Sequence, residues 1–372
     1  GAFLSGGLDS SSIVAFAKEL IPDIKCFTIK TKESLKNDGF IDDYNFACKV
    51  ANYLNVPLET VEVNTNALVE NLEKMVYQLD EPIADPASIN VLFISRLAKE
   101  SGIKVLLSGA GGDDLFSGYR RHRALGSEFV WTFLPMRIKN LIKKYSTNLQ
   151  TKNIIERRIK RVFSGANLNR DERIINYFRW NSQNDLINIY SDDFRKQLKN
   201  INQNNPLMNY LESIPEDLPK LDRMLSLEQR FFLTDHNLLY TDKMSMQEGV
   251  EVRVPFLDHD LVNFATQVPV KFKNRRGELK WVLKKTMEPY LPKEIIYRPK
   301  TGFGVPLRKW IKDELKEWVR EVLSFESIKK RGLFNPYAVQ KLLQDNEDNK
   351  VDAGYTILSL VCIEIWCKKF QI

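Results

Sequence analysis

The first residues able to do chemistry stand almost at the start of the chain, in Ser5-Gly6-Gly7-Leu8-Asp9-Ser10. Adjacent glycines let a backbone turn tightly and bring its N–H groups against phosphate oxygens. Ser5 and Ser10 add hydroxyl donors. A helix starting at the loop would bring the positive end of its dipole to the same spot. Asp9 would repel phosphate unless a cation stood between them, which points to Mg²⁺. No Gly-Lys-Ser/Thr closes the loop, so it is not a Walker loop. Read alone, the double glycine also fits an ordinary turn between a strand and a helix. A second loop, Ser108-Gly109-Ala110-Gly111-Gly112-Asp113-Asp114, carries three glycines and two carboxylates. Asp113 could meet Asp9 across a shared cation, since two carboxylates with phosphate oxygens and water make a normal Mg²⁺ site. Helix capping in an acidic turn is the other reading of Asp113 and Asp114.

Such loops need strands before them and helices after them. Short β-rich runs occur at Ala2–Leu4, Lys25–Thr31, Leu58–Val63 and Lys104–Leu107, and Ser10–Leu20, Asp42–Leu54 and Ala87–Lys99 show helical apolar spacing. Alternating β and α predicts an α/β fold with a doubly wound parallel sheet covered on both faces. Ligands of such sheets bind beyond the carboxyl ends of the strands, where both glycine loops fall. After about Ser127 the pattern becomes mostly helical, with polar loops at Asn200–Asn205 and Asn346–Asp352 and an apolar, aromatic run at Ile357–Phe370 that predicts a core helix. The expected organisation is an α/β core over 1–125 and a mostly helical region over 126–372. The glycine loop begins only four residues into the chain, whereas a strand usually needs about five. The expectation is that the first strand is clipped and that sequence is missing upstream.

The first loop resembles the pyrophosphate loop of the N-type ATP pyrophosphatases, whose fold is of the adenine nucleotide alpha hydrolase type. With the second loop the resemblance narrows to the asparagine synthetase family. Further segments match in order: Asp80-Glu81-Pro82 with Asp85 and Ser88, Asp242–Met246, Glu251–Asp258, Lys280–Lys284 and Arg298–Gly304. The resemblance spans nearly the whole chain.

That resemblance implies ATP as nucleotide and Mg²⁺ as metal. It implies that Ser5, Gly6, Gly7, Leu8, Asp9 and Ser10 hold the pyrophosphate, and that Leu4, Ile29, Ser108 and Gly109 contact the AMP part. Asp9 and Asp113 map to the metal carboxylates, and Lys280 to the active-site lysine, its ammonium beside the α-phosphate and the reacting carboxyl group. The implied reaction has two steps. A substrate carboxylate attacks the α-phosphorus and releases pyrophosphate; ammonia then attacks the acyl-adenylate and AMP leaves. The resemblance implies that ammonia comes from glutamine through an N-terminal glutaminase domain, and the expectation is that this domain is missing from the sequence. A homodimer is a candidate assembly, and the cytoplasm the expected compartment.

One position departs from the family pattern. The family's second loop commonly reads Ser-Gly-Glu-Gly-Ala-Asp-Glu, and Ala110 stands where its first Glu would be. Aspartate is therefore one candidate acceptor beside other carboxylates. Asp80, Glu81, Asp85, Asp114 and His122 are candidates for the substrate pocket, against turn chemistry for the first three and an ordinary surface position for His122. A tRNA-modifying ligase on the same loop and a degenerate nucleotide-binding protein are the alternatives.

Bulk composition sets the remaining limits. The 372 residues are 43% hydrophobic and 28% charged, enough for more than one core. No apolar run of 18 or more residues suggests a membrane span. Cys26, Cys48, Cys362 and Cys367 sit in apolar stretches and read as buried reduced thiols. The net charge is +7, with a cluster over Arg137–Arg161 that reads as the solvated face of helices. No aromatic ladder accompanies it, which argues against nucleic acid.

Overall fold

The structure, a computed structural model, describes residues 1–31, 43–147, 154–181, 183–198, 205–299 and 305–371. Residues 300–304 of the last matching segment, residue 42 at the start of an expected helix, and most of the expected loop at 200–205 lie outside them. Asn205 opens the helix Asn205–Ser213.

Among the described residues five strands make one sheet: β1 (Ala2–Phe3), β2 (Cys26–Thr31), β3 (Leu58–Val63), β4 (Val105–Leu107) and β5 (Glu251–Arg253). Their order is β3-β2-β1-β4-β5 and every pairing is parallel. Parallel strands are covered on both faces, and the residues here obey that: Ala2, Cys26, Phe27 and Leu106 are fully buried. Helices α1 (Leu8–Leu20) and α2 (Tyr44–Leu54) connect β1 to β2 and β2 to β3. Their apolar stripes, with Val14, Ala15, Val50 and Leu54, share a core with Leu283, Met287 and Ile295 from later helices. Helices α3 (Thr65–Leu79) and α4 (Ala87–Glu100) carry the chain from β3 to β4 and pack with the helix Leu239–Gln247. Right-handed crossovers running in opposite directions put the two helix sets on opposite faces.

The order of strands creates the site. The chain winds outward from β1 to β3, then jumps back to β4 on the other side of β1. The loops leaving β1 and β4 therefore face each other at the topological switch point, where doubly wound sheets open a crevice. These are the two glycine loops.

By compactness the chain forms two units. The first comprises Gly1–Leu79, Asp85–Glu128 and Asp217–Val305, and holds the sheet. The expected reading of residues 128–372 as mostly helical needs a refinement here. The segment from Asp217 adds β5 to the sheet beside β4, and a small hairpin pairs Asn274–Arg275 with Glu278–Leu279. The second unit comprises Asp80–Ala84, Phe129–Glu216 and Pro306–Ile372. Its last helix, Gly354–Phe370, buries Ile357, Leu358, Val361, Cys362 and Ile365, as the apolar run predicts. The expected polar loop at Asn346–Asp352 begins later than read. Asn346 and Glu347 end the helix Pro336–Glu347, and the buried Asn346 side chain accepts a hydrogen bond from Ala353 N at 2.9 Å.

The basic stretch forms parts of the helices Met136–Thr147 and Ile154–Phe163. Arg137, Lys144 and Arg158 face solvent, while Arg161 donates to Tyr177 O and Lys139 to Thr132 O. All four cysteines are free thiols; Cys26, Cys362 and Cys367 are buried, and Cys48 is half-buried. Burial pushes the Cys26 and Cys362 thiols up to about 12, which leaves them protonated and inert. Among the described residues no helix is long and apolar enough to cross a membrane.

Candidate active site

The first loop is held open by its own hydroxyls. Ser5 Oγ accepts from Gly7 N at 3.3 Å and lies 3.1 Å from Ser10 Oγ. Ser10 Oγ also accepts from Ser5 N and donates to Gly7 O, both at 3.3 Å. The loop runs straight into α1, whose first-turn N–H groups have no partner within the helix. Leu4, just past β1, and Ile29, in β2, are buried beneath it.

The second loop approaches closely enough to need glycine. A Cβ at Gly109 would sit 2.6 Å from Ser10 N and 2.8 Å from the Asp9 carbonyl carbon. Ser108 N donates to Arg253 O in β5, and Ser108 Oγ accepts from Ala110 N at 3.2 Å. A short helix α5 (Gly112–Phe116) follows and carries Asp113 and Asp114.

Asp9 and Asp113 meet across a cation, and that cation is an ammonium. Lys280 Nζ lies 2.6 and 2.5 Å from the two carboxylate oxygens of Asp9, and it forms an ion pair with Asp113 Oδ1. Lys280 is 6% exposed. Its backbone is left-handed (φ 55°), an unusual conformation for a residue with a Cβ, at the start of the helix Trp281–Met287. Burial acts to lower the pKa of the ammonium; the Asp113 and Asp9 carboxylates outweigh it and leave the pKa raised. Gly118 makes the approach possible, because a Cβ there would overlap both Asp113 Oδ1 and Lys280 Cε.

Asp114 points away from this pair. It is 1% exposed and accepts from Tyr119 Oη at 3.3 and 3.4 Å. Burial pushes its carboxyl up to about 8, and the neighbouring Glu228 and Asp113 charges add to the effect. The same burial raises the Tyr119 phenol well above its ordinary value.

The other pocket candidates separate. His122 is neither exposed nor facing the glycine loops. It is completely buried at the start of α6 (Arg120–Gly126), accepts from Tyr119 N at Nδ1, and lies 2.7 Å from Glu228 Oε2 through Nε2. Arg121 pairs with the other Glu228 oxygen, its guanidinium stacked over Tyr119 and Phe232. The reading of His122 as a surface residue thus fails because a partner 106 positions away draws it inward. Asp85 caps α4 through Ala87 N at 2.8 Å and pairs with His236 at 3.3 Å. Asp80 and Glu81 are exposed and belong to the second unit, where Asp80 O accepts from Trp366 Nε1 at 2.7 Å.

Three features of the site were not read from sequence as such. Gly118 and Glu228 are two of them. The third is Arg298, whose Nη2 lies 2.7 Å from Asp43 Oδ1 and 3.7 Å from where a Gly7 Cβ would stand. The only signal for Arg298 was its place at the head of a matching segment.

The fit to a metal rests on the Asp9–Asp113 pair. Both carboxylates already converge on one positive charge, so their placement suits a cation. Among the described residues no group of three His, Cys, Asp or Glu side chains converges on a metal position. The pair would supply part of an oxygen shell, the remainder coming from ligand and water.

Fold and site together define a doubly wound α/β protein with paired glycine loops at its switch point. A sequence profile described as asparagine synthase matches residues 1–368. The chain is 30% identical to asparagine synthetase [glutamine-hydrolyzing] 1 of Bacillus subtilis (strain 168), over 98% of this chain and 55% of that protein. It is 26% identical to asparagine synthetase [glutamine-hydrolyzing] 3 of the same organism, over 92% of this chain and 51% of that protein. It is 24% identical to amidase chyE of Penicillium rubens, over 92% and 54%. The chain belongs to the asparagine synthase family. It spans about half the length of the curated relatives it matches.

Proposed function

We propose that this chain is a C–N ligase that activates a carboxylate with ATP and converts it to an amide. The single observation that carries the reading is the convergence of Asp9, Asp113 and Lys280 at the mouth of two glycine loops. Family membership supports the ligase class.

In this reading the Ser5–Ser10 backbone and hydroxyls cradle the pyrophosphate part of ATP, and α1 adds its positive end. Leu4 and Ile29 form an apolar seat for the nucleoside, and Ser108 and Gly109 close it from the other loop. Asp9 and Asp113 would hold Mg²⁺, which would supply charge neutralisation on the phosphate oxygens when bound. Lys280 sets a positive charge beside the α-phosphorus and the departing pyrophosphate. That charge stabilises the negative charge that builds as the substrate carboxylate attacks. Adenylation is required because a carboxylate is a poor electrophile at neutral pH. The second step is attack of ammonia on the acyl-adenylate with loss of AMP. Positioning and charge neutralisation supply most of the catalysis.

The acceptor is an amino-acid carboxylate such as L-aspartate or a related acid. Ala110, in place of the family's glutamate, leaves the acceptor open, and relatives named as amidases stand beside those named as asparagine synthetases. Ammonia derives from glutamine, as the names of the relatives suggest. Residues 1–125 and the later region form one synthetase unit, the later region contributing Lys280.

The test is ATP–pyrophosphate exchange with Mg²⁺ across a panel of carboxylic acids, followed by amide formation with ammonium. Exchange with at least one acid is expected. No exchange with any acid, aspartate included, would sink the reading.

A further inference from the structure

We propose that Lys280 is an exchangeable counter-cation. Its ammonium holds the place of the metal between Asp9 and Asp113, and moves onto the phosphates when nucleotide and metal enter together. The inference rests on the assignment of these carboxylates to Mg²⁺ and goes beyond it.

Position is the first argument. The ammonium touches both oxygens of Asp9 and one of Asp113. A cation shared by these groups would need the same space and the same oxygens. An ammonium is a compact point charge with three donors, so it satisfies such a position well.

The second argument concerns a bare divalent ion. Mg²⁺ demands close to six oxygens in octahedral geometry. The described residues offer two carboxylates and no third His, Cys, Asp or Glu side chain converging with them. A divalent ion arriving alone would also have to stand beside a buried ammonium, and like charges a few ångströms apart in a poorly solvated site repel. Nucleotide phosphates remove both obstacles at once. They complete the oxygen shell, and they give the displaced ammonium an anionic partner.

The third argument is mechanical. Lys280 stands at the N-terminal end of a helix, where the dipole disfavours a cation. The carboxylates therefore hold the ammonium in place, and the helix does not. Its four-carbon stem passes Gly118, which presents no side chain to block it. The stem can swing while the backbone stays. The swap trades carboxylate–ammonium contacts for carboxylate–metal and ammonium–phosphate contacts, so no buried charge is left without a partner at either end.

The test compares the wild-type chain with K280M, which keeps the stem and removes the charge. Mn²⁺ and Mg²⁺ are titrated without nucleotide, followed by calorimetry and by thermal unfolding, and again with α,β-methylene-ATP. The wild type is expected to show no saturable response to Mg²⁺ alone, and a clear one with the analogue. K280M is expected to unfold at a lower temperature, to be rescued by Mg²⁺ alone, and to bind Mn²⁺ at least about tenfold more tightly than the wild type. A wild type that binds either metal alone as tightly as K280M overturns the proposal. Should K280M not fold, the wild type still decides: a saturable Mg²⁺ shift without nucleotide overturns it. If neither metal binds even with the analogue, the proposed function falls as well, which distinguishes that failure from this one.

Discussion

Two buried charge clusters grow out of the second glycine loop, and they are built on opposite plans. At the crevice, Asp9 and Asp113 share the ammonium of Lys280. Behind it, Glu228 is matched by Arg121, bonded to His122 and walled by Tyr119 and Phe232. Both clusters lie in the first unit and both are largely shielded from water. The rear cluster pairs its carboxylate with a guanidinium beneath aromatic rings and fixes the chain after the loop. The front cluster lies where two loops leave the sheet. Burial alone therefore does not set the two clusters apart; the position at the switch point does.

Removing the front cation should have the largest kinetic effect. K280M is expected to lower the rate of pyrophosphate exchange by about 10²–10³-fold, the scale seen when one electrostatic stabiliser is removed, with the folded chain retained by circular dichroism. A loss below about threefold would break the distinction. The rear cluster should answer in stability instead. Glu228→Ala leaves Arg121 without its buried carboxylate, and a denaturant series should show a loss of about 3–5 kcal/mol, with exchange per folded molecule little changed. Gly118→Ala lies next, since its Cβ invades the Asp113–Lys280 contact. Overpacking of about 1–3 kcal/mol is expected, read as weakened nucleotide binding more than as lost stability.

A pH-dependent effect concerns Asp114, which bonds Tyr119 beside the rear cluster. Its carboxyl keeps its proton in the folded chain up to about pH 8, whereas the ordinary value is 3.8. Its contribution to stability is therefore full below the unfolded value and is lost as pH rises through the folded value. Between about pH 4 and 8 the wild-type unfolding midpoint should decline relative to Asp114→Asn, whose side chain cannot ionise. Parallel pH profiles for the two proteins would show that Asp114 is ionised in the folded state.

The contrast also explains what could be read from the residues. Strands β1 to β4 and helices α1, α2 and α4 were legible because their residues follow the period of their own elements; α3, Thr65–Leu79, was not among the elements read. β5 was not: Glu251-Val252-Arg253 is charged at two of three positions and is a strand because β4 pairs with it. At the site, the types of Asp9 and Asp113 announced a cation, and the loops announced where it would sit. That a lysine 271 positions beyond Asp9 takes the place is a fact of folding, invisible to local pattern. His122 shows the reverse error. Within Arg120-Arg121-His122-Arg123 it looks solvated, yet the π-helical stretch Glu228–Leu238 brings Glu228 against it.

The left-handed backbone of Lys280 sets two selection criteria against each other at one position. Conformation favours glycine or asparagine there, and a lysine in that region costs about 1–2 kcal/mol. Chemistry asks for a long cationic side chain. A redesign guided by backbone preference alone would replace this residue early and would report a better-tolerated turn. It would also leave Asp9 and Asp113 facing each other with no positive charge between them.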